Sequence, residues 1–92
     1  MIKSFKCGET ARIFNGQISK DLPPEIQSTA RRKLLMLDAA GKPVDLIAPP
    51  GNRLEKPTGV RDGQYSIRIN DQWRICFKWD DGVTEVEIVD YH

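Results

Sequence analysis

Apolar side chains fall at every second position through the C-terminal third of the chain. Tyr65, Ile67 and Ile69 alternate with Ser66, Arg68 and Asn70. Trp73, Ile75, Phe77 and Trp79 alternate with Arg74, Cys76 and Lys78, and Val86 and Ile88 stand between Glu85, Glu87 and Val89. Period two with β-branched and aromatic residues predicts three half-buried strands. Asp81-Gly82 is a two-residue hairpin turn signal. Centred there, the pairing sets Phe77 against Val86 and Ile75 against Ile88 on one face, and Lys78 against Glu85 and Cys76 against Glu87 on the other. For the preceding turn, a loop of Asn70, Asp71 and Gln72 pairs Ile69 with Trp73 and Ile67 with Ile75. A shorter loop at Asn70-Asp71 would put Arg74 opposite Ile67 on the core face, against the burial pattern. The accepted register sets Arg68 opposite Arg74. Like charges so placed are destabilising, so an anion is expected nearby: Glu87 on the diagonal, or a phosphate from a ligand.

Upstream the period changes. Ile26, Ala30, Leu34 and Leu37 recur at helical spacing. Asp21-Leu22-Pro23-Pro24-Glu25 reads as a helix start, with an Asp near the cap and prolines in the first turn. The helix is predicted to run to about Ala39, where Gly41 and Pro43 stop it. Arg31, Arg32 and Lys33 are placed on its solvated flank. Glu9 to Asn15 predicts a shorter helix, with Ala11 and Phe14 on its apolar side and Gly16 ending it. Ile2-Lys3-Ser4-Phe5 alternates as a short first strand. Ala48 to Lys56, APPGNRLEK, is loop chemistry with Leu54 as a buried anchor, and Pro57 to Gly63 is a second loop. The order strand, two helices, three-stranded meander predicts an α+β domain over residues 1–92, its helices on one face of an antiparallel sheet. The other face carries Ser66, Arg68, Arg74, Cys76, Lys78, Glu85, Glu87 and, by parity, Tyr91, and is predicted to lie open to solvent.

At 92 residues the chain makes one modest core, and 39% hydrophobic with 29% charged residues fits a globular protein. No run is long enough to span a membrane, and the opening MIKSFKCGET turns polar at once; a cytoplasmic location without membrane contact is expected. Cys7 and Cys76 are too few for a disulfide framework, and one histidine leaves no zinc set. Neither a metal nor a cofactor is expected, since no glycine-rich nucleotide loop is present.

The net charge of +1 conceals a basic middle. Arg53, Lys56, Arg61, Arg68, Arg74 and Lys78 stand there against Glu55, Asp62 and Asp71, a pattern compatible with a polyanion or with an ordinary mixed surface. The candidate constellation is Arg68, Arg74, Tyr91 and His92, with Asp90 and Glu55 nearby. Two guanidinium groups grip a phosphate through charge-assisted hydrogen bonds, and His92 titrates near neutrality. The set suits metal-free RNA cleavage by the neighbouring 2′-hydroxyl. The same arginines also fit the wet face of a sheet, and the same histidine a frayed end.

Three segments narrow the choice: Gly51-Asn52-Arg53-Leu54-Glu55, the run Gly63 to Phe77 (GQYSIRINDQWRICF) and Val89-Asp90-Tyr91-His92. Together with Met1-Ile2-Lys3-Ser4-Phe5 they resemble the HigB toxins of bacterial type II toxin–antitoxin pairs, of the RelE/ParE superfamily, over almost the whole chain. The resemblance implies a small RelE/ParE-like α+β domain and a ribosome-dependent mRNA endonuclease that blocks translation and growth. It implies as partner a HigA-type antitoxin with a helix-turn-helix domain, through which alone the toxin meets operator DNA. By position, the family's catalytic residues fall on Arg74, Asp90, Tyr91 and His92. Arg68 is added from the pairing argument, and Arg53, Lys56, Arg61 and Lys78 are the expected RNA contacts. One departure stands out. Some HigB toxins carry an active-site histidine and lysine before the meander; here Glu55 takes the histidine's place and Thr58 lies near the lysine's. Glu55 is then the expected base, with Lys56 or Arg61 as the cation. Two alternatives share the fold: a ParE-like poison of DNA gyrase, and a toxin-like module acting through its antitoxin.

Overall fold

Alternation in the C-terminal third yields three antiparallel strands, β1 (Gln64–Arg68), β2 (Trp73–Trp79) and β3 (Val83–Asp90), hydrogen-bonded in that order. The computed structural model describes residues 1–56 and 63–90. Between β1 and β2, Ile67 faces Ile75 and Arg68 faces Arg74, as the burial pattern requires. Asn70 builds the turn. Its Oδ1 accepts the backbone N–H groups of Gln72 and Trp73 at 2.9 and 2.8 Å, and the N–H of Ile69 donates to the carbonyl of Trp73 at 2.9 Å. An Asn side chain that caps its own turn is what fixes a loop of this length.

The second hairpin departs from expectation. Ile75 faces Ile88 and Cys76 faces Glu87, but Lys78 faces Thr84 and Trp79 faces Val83. The loop is therefore Asp80-Asp81-Gly82 rather than Asp81-Gly82 alone, and β3 takes up the difference in a bulge at Glu85, whose φ is 52°. A bulge inserts one residue and leaves its N–H outside the ladder. Here the chain's first residues explain why it is tolerated. Met1, Lys3, Ser4 and Lys6 exchange backbone bonds of 2.7–3.2 Å with Val83 and Val86, and the Oγ of Ser4 accepts the N–H of Glu85 at 3.0 Å. Despite the shift, Lys78 and Glu85 still meet at 3.5 Å. The predicted first strand is thus two isolated parallel bridges, Ile2 to Val83 and Phe5 to Val86, rather than a strand in its own right.

Two helices cover one face of the sheet. Helix α1 spans Gly8–Phe14 and α2 spans Pro24–Ala39. The buried stripe of α2 is Ile26, Ala30, Leu34 and Leu37, with Lys33 as an unexpected fifth member. These meet Ile67, Ile75, Phe77, Val86 and Ile88 in one core. Each leucine, isoleucine, valine or phenylalanine among them contributes roughly 1.5–3 kcal/mol when fully buried. In α1 the inward residues are Thr10 and Ile13, while Ala11 is only half-buried. Phe14 packs on Phe5 at 5.5 Å between ring centroids. The Oγ1 of Thr10 accepts the N–H of Ile88 at 3.1 Å, so this inward hydroxyl ties α1 to β3. Gly16 ends the helix at φ 82°. Asp21 does not cap α2, since Pro23 holds that position.

The sheet's second face is not uniformly wet. Ser66, Arg74 and Cys76 are 5%, 8% and 1% exposed, whereas Glu85 is exposed and Arg68, Lys78 and Glu87 are half-buried. The chain at Glu55 runs alongside β1, exchanging backbone bonds with Ser66 at 2.9 and 3.0 Å. Arg74 turns toward that edge and folds over Ser66 rather than into water.

Candidate active site

Arg74 stands near the start of β2, opposite Arg68 in the register. Its Nε donates to the Oγ of Ser66 at 2.9 Å, and its Nη2 donates to the carbonyls of Ser66 and Arg53 at 3.2 and 2.6 Å. A carboxylate oxygen of Glu55 lies 4.0 Å from Nε. A planar guanidinium held at two nitrogens has a fixed plane and a fixed direction. The segment that holds it is itself unusual. After a 3-10 turn over Pro50–Asn52, Arg53 adopts a left-handed backbone, φ 43° and ψ 57°. That conformation costs roughly 1–2 kcal/mol for a residue with a Cβ. A charge-assisted bond of about 1.5–3 kcal/mol from Arg74 to its carbonyl offsets it.

The repulsion expected between Arg68 and Arg74 is relieved by different anions from those foreseen. Arg68 pairs with Asp71, three residues on in the turn, and Arg74 is held by Ser66, Arg53 and Glu55. Glu87 is engaged elsewhere, 3.5 Å from Lys6. Of the predicted catalytic residues, Arg74, Glu55 and Arg68 therefore share one end of one face. Asp90 does not join them. It lies opposite Trp73 in the register, which by alternation puts it on the other face, and its carboxylate accepts the Nε2 of Gln72 at 3.1 Å. Tyr91, His92, Thr58 and Arg61 lie outside the described residues. Of the predicted RNA contacts, Arg53 and Lys56 are exposed beside Glu55. Lys78 is on the face of Arg74 but four residues further along β2, roughly 13 Å at strand rise.

Three further residues bond within or behind this cluster, and none is among the candidates drawn from the sequence. Ser66 was legible from the register as a polar neighbour of Arg74. Asn52 was read only as loop chemistry, yet it is fully buried, its Nδ2 donating to the carbonyls of Leu46 and Ala48 at 3.1 and 3.4 Å. Lys33, expected on the solvated flank, is buried instead. It lies one turn from Ala30 and Leu37 on the inward stripe, is 6% exposed, and donates through Nζ to the Oδ1 of Asn52. Burial, and then the charges of Arg32 and Arg68, lower its pKa.

A family model described as "RelE-like toxin of type II toxin-antitoxin system HigB" matches residues 3–92. The chain belongs to this family. It is 45% identical over 71 residues to Toxin HigB-1 of Vibrio cholerae serotype O1, covering 77% of this chain and 75% of that protein. It is also 31% identical over 77 residues to an uncharacterized protein of Haemophilus influenzae, covering 84% of this chain and 76% of that one. This HigB-like protein is thus the toxin of a type II toxin–antitoxin system, and such a toxin has an antitoxin partner. The activity of the RelE-like family is mRNA cleavage that inhibits translation, and the comparisons favour it over gyrase poisoning. Among the described residues, no helix is long and apolar enough to cross a membrane.

Proposed function

We propose that this HigB-like toxin, acting as one domain over residues 1–92, cleaves mRNA on the ribosome without a metal ion. Its centre is Arg74. The observation that carries the reading is the clamp on that guanidinium by Ser66, the Arg53 carbonyl and Glu55, on a face edged by exposed Arg53 and Lys56. A fixed cation whose position does not have to be reorganised stabilises developing charge on phosphate better than a mobile one. The 2′-oxygen forms a bond to the adjacent phosphorus and the bond from phosphorus to the 5′-oxygen breaks. Glu55 takes the proton of the 2′-hydroxyl, and His92 delivers one to the departing 5′-oxygen. Tyr91 stacks on or orients the RNA, and Asp90 supports the terminal segment from the opposite face. Arg68 adds positive charge beside Arg74. Arg53, Lys56, Arg61 and Lys78 contact the RNA backbone. The ribosome contributes by holding the mRNA in line for attack. The inhibitor is a HigA-type helix-turn-helix antitoxin, and the toxin works in the cytoplasm.

Induced expression in growing cells tests the residue assignment. Arg74→Ala is expected to abolish growth inhibition while the protein still co-purifies with its antitoxin. Full toxicity of Arg74→Ala would place the chemistry elsewhere.

A further inference from the structure

The clamp on Arg74 traces back to helix α2 through Asn52. Lys33 is the only charged residue on the buried stripe of α2, among Ile26, Ala30, Leu34 and Leu37. A lysine in that position loses the hydration of its ammonium, and an apolar residue of similar length would pack there without that loss. Among the described residues its ammonium donates to the Oδ1 of Asn52. Asn52 in turn is fully buried and closes the turn that precedes Arg53 by bonding the carbonyls of Leu46 and Ala48, while its own N–H donates to the carbonyl of Pro49 at 2.9 Å. The next residue, Arg53, presents the carbonyl that Arg74 grips at 2.6 Å, and Glu55 follows two residues later. A continuous line of hydrogen bonds and one short peptide segment thus runs from the helix layer to the guanidinium. The backbone at Arg53 is left-handed, a conformation that an arginine holds only when its surroundings impose it.

We infer that Lys33 and Asn52 form a strut that positions Arg74 for phosphate stabilisation, and that Lys33 is a positioning residue of the toxin rather than a general fold residue. The strut rests on the reading of Arg74 as the phosphate-stabilising group. It acts through the Arg53 carbonyl and Glu55 and touches no substrate. Lys33→Met keeps the length and apolar packing of the stem and removes the donor. The Asn52 turn then loses its tie to α2, and the carbonyl of Arg53 drifts. A misplacement of about 1 Å at a reacting group can cost about 100-fold in rate.

The test is a double-mutant cycle on mRNA cleavage with purified full-length toxin and purified ribosomes, at saturating ribosome. Lys33→Met is expected to lower the cleavage rate at least about 10-fold, with ribosome affinity within about twofold of the wild type. On the residual cleavage of an Arg74→Ala background the same change is expected to have at most a small effect, through Glu55, because the strut works mainly through that arginine. An equal loss in both backgrounds would mean a general structural role and would overturn the inference. A full rate for Lys33→Met beside an inactive Arg74→Ala would overturn the strut and leave the assignment of Arg74 intact. A full rate for Arg74→Ala would overturn that assignment and the strut with it. Should Lys33→Met fail to fold, Lys33→Gln, an amide too short to reach Asn52, serves in the same cycle. In either variant, exchange of the Arg74 Nε proton with water should quicken while the amides of Ile75 and Phe77 stay protected. Unchanged protection of that proton would also contradict the inference.

Discussion

At the scale of single residues, a few polar side chains in apolar surroundings determine the site's geometry. Arg74 is 8% exposed, Lys33 6% and Ser66 5%, and each is there with a partner. Burying a charge is costly unless it is paired and hydrogen-bonded. Lys33 carries that cost in its titration. Its pKa is lowered from 10.5, first by burial and then by Arg32 and Arg68. Below the lowered folded value the lysine is charged in both the folded and the unfolded chain, and the folded state bears the penalty. As the pH rises from the lowered folded value toward 10.5, the folded chain sheds the proton while the unfolded chain keeps it. Stability then rises, and above the unfolded value the penalty is gone. Wild-type protein is therefore expected to gain stability relative to Lys33→Met on going from neutral to alkaline pH in denaturant titrations. Parallel stability curves for the two proteins would show that Lys33 titrates as it does in water.

At the scale of elements, β3 is held from both sides: by β2 through the ladder, and by the N-terminal residues and α1 through single bonds. The bond from the Ile88 N–H to Thr10 is the buried one. Thr10→Val keeps the shape of the side chain and leaves that N–H without its acceptor, so a loss of about 1–3 kcal/mol is expected. Thr10→Ser should recover most of it. The comparison is made by chemical denaturation, and a neutral Thr10→Val would mean that the amide finds another partner. Most of these elements were legible in the sequence. Alternation fixed the faces of β1 and β2, and the wish to keep Arg74 off the core selected the longer of two loops correctly. The β2–β3 loop was misjudged because a bulge at Glu85 restores the register two residues later, and its support comes from Ser4, more than eighty residues away. No local signal carries that contact. Lys33 was misplaced for a different reason. Its position on the helical stripe was visible, but charge was taken to imply exposure, and the acceptor that makes burial tolerable lies in a loop nineteen residues on.

At the scale of the molecule, one side of the sheet is packed for stability and the other is built around Arg74. The helices, the core and the strut belong to the first layer; Glu55, Arg53 and Lys56 edge the second. On the proposed reading the site belongs to the toxin's own fold, and the clamp on Arg74 is already present in the isolated chain. On the reading proposed above, this preformed site cuts mRNA on the ribosome. Mapping of mRNA 5′ ends on ribosomes, with and without purified toxin and beside Arg74→Ala and His92→Gln, tests it most directly. New 5′ ends that require the ribosome, and that fall to a residual level when either side chain is changed, are expected. An unchanged pattern of ends while the wild-type protein still arrests growth would contradict it.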